Sequence, residues 1–184
     1  NVLGDVVEVL KRLEYEGYHF EVADASLELL MRGASGWKQS FFEVESFQVD
    51  MNHVGSGSRA WNEIAVEVDT RAVVDLFVHG EKKVGLGDGN GPVNAIDNAL
   101  RAVLTESYPE LRDISLVDYK VRVLDTEKGT GAVTRVLLDS TNGERNWTTI
   151  GVSENIIEAS WQALIDSIVY SLLHSPHRVG GENE

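Results

Sequence analysis

The chain has 184 residues, which is long enough for one domain with its own hydrophobic core. Its net charge is −14 and its 16 Lys and Arg residues are scattered, so the composition argues against binding to nucleic acid. The absence of cysteine excludes disulfides, thiolate catalysis and zinc–thiolate sites. No apolar run approaches the roughly 20 residues of a membrane span and no signal peptide is recognisable, so we expect a cytoplasmic protein that does not contact a membrane.

The first 37 residues are predicted to form helices. Apolar residues recur there at the three- and four-residue intervals of one helix face: Val2, Val6, Val9, Leu10 and Leu13. This pattern is interrupted by GYHF, and DASLELLMR then predicts a second helix with Asp24 as its N-cap. These helices hold too few apolar residues for a core of their own, and we interpret residues 1–37 as a helical linker subdomain. Because Asn1 already lies within a helical pattern, we expect the chain to be a piece of a longer polypeptide.

Strands dominate the next part of the chain, where the apolar period changes to two. The predicted strands are FFEVESFQVDM, NEIAVEVD and AVVDLFVHGEKKVGLG, the last being a hairpin that turns near Gly80. A loop is predicted at VGSGSR, residues 54–59. A helix follows, because Pro92 suits a first helical turn and the next apolar residues share one stripe. These residues are Val93, Ile96, Leu100, Val103 and Leu104.

The second half of the chain repeats this order. Strands are predicted for LVDYKVRVLD and AVTRVLLDSTNGERNWTTIGV, and a long helix for SENIIEASWQALIDSIVYSLL. A shift of 64 residues superimposes like residues of the two halves: Gly87 and Gly151, Ala95 and Ala159, Ala99 and Ala163, Leu100 and Leu164. We therefore predict an α+β fold of two βββα repeats, at about 40–108 and 113–176, packed together as one domain over residues 38–178. Residues 179–184 are predicted to be a disordered tail.

The glycine-rich stretch GLGDGNGPVNAIDNAL, residues 85–100, raises the question of a phosphate-binding loop. A nucleotide is disfavoured, because Gly91 is followed by Pro92 and Val93 rather than by Lys and then Ser or Thr, and because the stretch follows a hairpin. Free N–H groups and a partial positive charge at a helix start favour a carboxylate as readily as a phosphate, so a small carboxylate ligand fits better. The alternative is that the glycines only allow close packing of helix on sheet and left-handed turns.

No catalytic constellation stands out elsewhere. His174 and His177 have a spacing that could bind a metal, but Pro176 breaks the helix that would fix this spacing. Pairs of acidic residues arise by chance among 30 of them, and no group of Ser, His and Asp indicates a nucleophile. The ring of Tyr119, in an alternating strand, is predicted to face either the core or a pocket. The residues alone therefore indicate a repeated α+β binding module.

Three stretches carry a resemblance to a known family. The longest, YPELRDISLVDYKVRVLDTEKGTGAVTRVLLDSTNGERNWTTIGVSENIIEASWQALIDS, resembles the C-terminal portion of citramalate synthases, which are relatives of 2-isopropylmalate synthase. Two further stretches look like the regulatory-domain helix and the linker subdomain of the same family: GNGPVNAIDNALR and LEYEGYHFEVADASLELLMR. The resemblance is specific over residues 85–175, and residues 54–71 depart from it.

The resemblance implies a regulatory rather than a catalytic part of an enzyme. In this family a (β/α)8 barrel condenses acetyl-CoA with a 2-oxo acid around a divalent metal held by an HxH motif, and no HxH occurs here. We therefore expect no catalytic residue, metal or cofactor in this chain and no synthase activity from it alone. Residues 1–37 would be the linker subdomain, and the least well packed part because their natural neighbour is the barrel. Residues 38–178 would be a regulatory domain that assembles as a homodimer.

The resemblance also implies an effector amino acid. Citramalate synthases bind isoleucine as the feedback inhibitor of the condensation of acetyl-CoA with pyruvate in isoleucine biosynthesis, whereas 2-isopropylmalate synthases bind leucine. An isoleucine-binding domain is expected, and two alternatives stay open: a leucine-binding domain, and a dimerisation module without a ligand. A free-standing enzyme would need a metal or an acid–base pair that the sequence does not offer. Leucine and isoleucine differ by the position of one methyl, which apolar pockets discriminate by only about 1 to 3 kcal/mol.

Carried across residue by residue, the effector site falls on two helix starts and one strand. Its residues are Gly91, Pro92, Val93 and Asn94 in the first helix start, Leu116, Tyr119 and Val123 in the strand LVDYKVRV, and Val152, Ser153 and Glu154 in the second helix start. We expect isoleucine to bind where the two helix starts converge, with its carboxylate on helix N–H groups and its ammonium on Glu154 or a backbone carbonyl. The aliphatic members of the set would surround its side chain, and Tyr119 would form one wall.

Overall fold

A computed structural model describes residues 2–54 and 67–176 of the chain. These residues form four α-helices: α1 (Val2–Glu16), α2 (Asp24–Ala34), α3 (Pro92–Ser107) and α4 (Ile156–Leu173). They also form six strands: β1 (Glu43–Val54), β2 (Glu67–Val78), β3 (Glu81–Gly89), β4 (Ser115–Val123), β5 (Thr134–Thr141) and β6 (Asn146–Ser153). The strands make two antiparallel sheets, ordered β1-β2-β3 and β4-β5-β6, and a helix follows each sheet. The predicted α+β fold, two βββα repeats after a helical segment, is confirmed.

The local turns mostly fall where the sequence predicts them. The β2–β3 hairpin turns at His79 and Gly80, which both have positive φ, of 52° and 80°. Asp24 is not a helix cap as predicted, because Ala23 occupies that position. The carboxylate of Asp24 instead accepts a hydrogen bond from the backbone N–H of Thr148 at 2.9 Å. The predicted loop at 54–59, the predicted strand NEIAVEVD and the predicted tail lie wholly or mostly outside the described residues.

The chain divides into two compact units, which are described separately. The first-repeat unit is Phe42–Pro109, and the second-repeat unit combines the residues up to Phe41 with those from Glu110 onward. In the first-repeat unit, α3 packs on β2 and β3. Alternate residues of β2 are buried, as expected for a strand with one face under a helix: Ala72, Val74, Leu76 and Val78.

Three glycines of β3 let α3 approach the sheet closely. A Cβ added to Gly85, Gly87 or Gly89 would lie closer than 3.0 Å to the backbone of Ala99 or Ala95, a distance that real Cβ atoms essentially never show. The glycine pattern of the sequence therefore reflects close packing at these three positions. Gly91 differs, because an added Cβ there would have no atom within 4 Å.

In the second-repeat unit, packing covers both faces of the sheet around β6. On one face, α4 packs on β5 and β6. On the other, Ile150 and Val152 form a buried cluster with Phe20 and Ala23. These two residues belong to the N-terminal segment, residues 2–41, of this unit. Phe20 is 5% exposed, whereas Tyr15 is 94% exposed, so residues 1–37 are packed at this cluster, and the expectation that they are the least well packed part stays a prediction. The cluster forms because a sheet with a helix on only one face leaves a second apolar face, and the N-terminal segment buries that face.

A polar stripe on α4 holds the same N-terminal segment. The stripe consists of Gln162 and Asp166, which are four residues apart on one side of the helix, and of the C-cap residue His174. Each bonds to one N-terminal side chain: Gln162 to Tyr18 (2.7 Å), Asp166 to Ser26 (2.7 Å) and His174 to Glu28 (2.9 Å). Ser26 also accepts a hydrogen bond from the backbone N–H of Ile150 at 3.0 Å. The N-terminal segment is thus fixed to α4 by side-chain bonds as well as to the sheet by apolar contacts.

The apolar character of α4 is explained by this packing. Among residues 2–54 and 67–176, α4 is the one helix long and apolar enough to cross a membrane. Eight of its residues are buried inside the folded unit, as expected for a core helix of a globular domain.

Asp166 is predicted to make the stability of the chain depend on pH. Burial raises the pKa of its carboxyl group to about 6. Because this pKa lies above that of the unfolded chain, the stabilisation from this group is fully present below about pH 4 and is lost as the pH rises through 6. Asp166→Asn keeps the shape and stays neutral, so we expect it to raise the free energy of unfolding by on the order of 2 kcal/mol at pH 8 and to change it little at pH 4. Denaturant unfolding of both proteins across this range tests the prediction, and a difference that does not vary with pH contradicts it.

Candidate effector-binding site

The start of α3 has no capping side chain. Gly91 is its N-cap, with φ −176° and ψ 173°, and no side chain caps the helix. Its first turn holds Pro92 and no acidic residue, so the partial positive charge of the helix start is not offset there. Asn94 points its side-chain oxygen back to the N–H of Asn90 at 3.2 Å. The four predicted residues 91–94 therefore form one uncapped helix start that suits a carboxylate.

The start of α4 is built differently. Asn155 is its N-cap, and its side-chain oxygen accepts hydrogen bonds from the N–H groups of Ile157 (2.9 Å) and Glu158 (3.3 Å). Ser153 in turn accepts a hydrogen bond from the N–H of Asn155 at 3.1 Å. Because these first-turn donors are already paired, this helix start offers fewer N–H groups to a carboxylate than α3 does.

Strand β4 presents an exposed apolar strip. Leu116, Tyr119 and Val123 pair with Ser140, Leu138 and Thr134 of β5, which alternate along that strand and share the face under α4. A bulge between Leu116 and Asp118 is required for this, since residues 116 and 119 would otherwise point to opposite faces. Because α4 packs on β5 and β6, the edge strand stays uncovered, and Tyr119 is 40% and Val123 46% exposed. The structure thus brings the three predicted β4 residues together on one face.

Tyr119 is oriented by α4. Its hydroxyl lies 2.8 Å from the hydroxyl of Ser160, which donates to the carbonyl of Ile156 at 2.7 Å. Val121 lies between Tyr119 and Val123 on the same face and is similarly exposed. Sequence reasoning missed both Val121 and Ser160. The two-residue period of β4 could have indicated Val121, whereas no sequence signal pairs Ser160 with Tyr119.

The remaining predicted residues lie at the end of β6. The side chain of Val152 is buried in the cluster with Phe20 and Ala23, on the face opposite to Tyr119. Its backbone N–H donates to the side-chain oxygen of Gln162 at 3.1 Å. Glu154 is exposed in the turn before α4. The structure therefore does not place the Val152 side chain with the exposed residues of β4. Ser153 is the last residue of β6, and Glu154 follows it directly.

Two of the cavities in the second-repeat unit have linings that include none of the ten predicted residues. One of about 450 Å³ lies at the C-terminal end of α4, beside Trp147, Tyr170 and His174. The other, of about 400 Å³, lies beside Asp24 and Val117. Within the described residues, no group of three His, Asp or Glu side chains is placed to hold a metal ion.

Comparison with known proteins identifies the family. Residues 21–172 match the family described as the LeuA allosteric (dimerisation) domain. The chain is 47% identical over 167 residues to an (R)-citramalate synthase of Synechocystis sp., covering 91% of this chain and 30% of that protein. It is 45% identical over 171 residues to an (R)-citramalate synthase of Aquifex aeolicus, covering 93% and 31%. A 2-isopropylmalate synthase of Methylobacterium nodulans is 31% identical over 113 residues, covering 58% and 20%.

The matches cover nearly all of this chain but only part of each relative. The chain spans about 30% of the length of the citramalate synthases that it resembles over nearly its whole length. The resemblance inferred from the quoted stretches is confirmed, and the chain belongs to the LeuA allosteric (dimerisation) domain family.

Proposed function

We propose that the chain is the regulatory part of a citramalate synthase and that it binds isoleucine as a feedback inhibitor. The observation that carries the proposal is the extent of the likeness to citramalate synthases, 47% identity over 91% of the chain, against 31% over 58% for the 2-isopropylmalate synthase. The family description, an allosteric domain, supports a regulatory role. Isoleucine is the end product expected to inhibit such a synthase.

The geometry of each unit supports an α-amino acid as the ligand. The first-repeat unit offers an uncapped helix start at Gly91, which suits a carboxylate. The second-repeat unit offers the apolar strip of β4, where Leu116, Val121 and Val123 suit a branched aliphatic side chain and Tyr119 adds an aromatic surface. The helix start by itself supports an anionic group in the ligand, and the strip by itself supports an aliphatic group.

Catalysis is assigned to a part of the protein outside this chain. A (β/α)8 barrel with a divalent metal would perform the condensation of acetyl-CoA with pyruvate. The described residues do not fit that metal, since no three potential ligands are grouped among them. Purified chain is expected to release no coenzyme A from acetyl-CoA and pyruvate.

We further propose a homodimer, in line with the family description. Besides the β4 strip, the face of the first sheet away from α3 leaves Val84 54% and Leu86 62% exposed. A twofold partner is the most common way to bury such surfaces. Light scattering at micromolar concentration is expected to give twice the mass of the chain, and a monomer mass with and without isoleucine contradicts the proposal.

A thermal-shift panel of isoleucine, leucine, valine and pyruvate tests the ligand. Isoleucine is expected to give the largest rise in melting temperature. A ligand at 100 times its dissociation constant stabilises the folded state by about 2.7 kcal/mol, which is large enough to measure as such a rise. A larger shift with leucine would favour the domain of a 2-isopropylmalate synthase. A dimer that shows no shift with any of the four would favour a dimerisation module without a ligand.

A further inference from the structure

We infer that the corner between α1 and α2, Gly17 and Tyr18, couples the bound amino acid to the N-terminal helices, with Gln162 as the positioning residue that joins them. The inference rests on the proposed function, since it concerns how that site is regulated. It follows from contacts within the second-repeat unit.

A single oxygen atom joins the corner to the end of β6. The side-chain oxygen of Gln162 accepts a hydrogen bond from the Tyr18 hydroxyl at 2.7 Å and another from the N–H of Val152 at 3.1 Å. Val152 is directly followed by Ser153, and both belong to the candidate effector set. Tyr18 is held in place by stacking on Phe20, with ring centroids 5.4 Å apart and ring planes 11° apart. A movement of the β6 end therefore changes the partner of the Tyr18 hydroxyl.

Gly17 packs against residues at the ends of the strands of the second sheet. Its carbonyl accepts a hydrogen bond from the Arg135 guanidinium at 2.7 Å, and Arg135 stands opposite Val152 in the sheet. With φ of 116°, Gly17 has a backbone conformation that other residues rarely adopt, and a Cβ there would crowd the end of the Leu124 side chain and lie 3.3 Å from the side chain of Val152. Leu124 directly follows Val123, another candidate effector residue. The corner thus contacts the ends of three strands, two of which carry candidate effector residues.

Helix α4 connects the same two regions a second time. Ser160 holds the hydroxyl of Tyr119, and Gln162, two residues further along the helix, holds Tyr18. Further along, Asp166 and His174 of the polar stripe bond to α2. A ligand that displaces Tyr119 and α4 together would therefore alter the contacts that fix the N-terminal segment. Since coupling between two sites is reciprocal, a change at the corner must alter the affinity for the amino acid.

The test compares two tyrosines of the same segment in the complete 184-residue chain. Tyr18→Phe removes only the hydroxyl that bonds to Gln162, and we expect it to weaken isoleucine binding, measured by titration calorimetry, at least threefold. The matched control is Tyr15→Phe, because Tyr15 is 94% exposed, and its affinity should stay within twofold of the unsubstituted chain. Gln162→Leu removes both hydrogen bonds and should weaken binding further, whereas Gln162→Glu keeps an acceptor oxygen and should restore most of the affinity.

Hydrogen exchange supplies a readout that a purely structural role would not move. The N–H groups of Gly17 and Tyr18 bond to the carbonyls of Glu14 and Leu13, and we expect saturating isoleucine to slow their exchange in the unsubstituted chain but not in Gln162→Leu. Unchanged exchange together with unchanged affinity in Tyr18→Phe overturns the inference and leaves isoleucine binding standing. Absence of isoleucine binding by the unsubstituted chain overturns the proposed function itself, and the inference with it.

Discussion

Gly151→Ala is expected to destabilise the second-repeat unit severely. Gly151 lies in β6 under α4, and a Cβ added there would fall far inside 3.0 Å of the carbonyl group of Ala159. The obstructing atoms are helix backbone, which cannot rotate away, so α4 would have to lift off the sheet that it covers. Overpacking of a core usually costs about 1 to 3 kcal/mol, and we expect the loss here to reach or exceed the upper end of that range. Denaturant unfolding measures the loss.

Gly33→Ala is the matched control for this substitution. Gly33 lies within α2, where an added Cβ would have no atom within 4 Å, and alanine favours a helix interior over glycine by roughly 0.5 to 1 kcal/mol. This variant should therefore be as stable as the unsubstituted chain or slightly more stable. If the free energy of unfolding of Gly151→Ala lies within about 1 kcal/mol of that of the unsubstituted chain, the packing of α4 does not depend on a glycine at this position.

The repeat made this packing predictable from the sequence. A shift of 64 residues relates Gly87 to Gly151 and Ala95 to Ala159, and in both repeats the glycine of the third strand faces the equivalent alanine of the following helix. Because small residues at matching positions are needed wherever a helix lies close to a sheet, the same pattern recurs in the two halves. The order of strands and helices could be derived for the same reason, since apolar periods of two and of three to four reflect one buried face.

Other features could not be derived from local sequence. The bulge between Leu116 and Asp118 puts Leu116 and Tyr119 on one face, but the residues around it do not differ from those of a regular strand. The amphipathic pattern of the N-terminal helices indicated an apolar face without indicating what covers it, and the structure places the second sheet against it. Each of these outcomes depends on contacts between residues far apart in the chain.

Gly91→Asp is expected to abolish the rise in melting temperature that isoleucine causes. The position tolerates a side chain, since its φ of −176° is extended backbone and an added Cβ would have no atom within 4 Å. Aspartate is also a preferred N-cap, so the variant should fold and α3 should gain roughly a few tenths of a kcal/mol over glycine. Its carboxylate would bind the free N–H groups of the first turn and repel a second anion, which removes the place of the amino acid's carboxylate. Thermal shifts with and without isoleucine, and light scattering for the dimer, measure the result.

Gly91→Ala separates charge from size in this experiment. Alanine adds a Cβ in the same open space but no negative charge, and it cannot cap the helix, so we expect it to keep most of the isoleucine-induced shift. Loss of the shift in both variants would mean that the added bulk, rather than the charge, blocks the ligand at this helix start. If Gly91→Asp folds, forms the dimer and still shows the full shift, the carboxylate does not bind at the start of α3, and the effector site must be sought among the β4 residues alone.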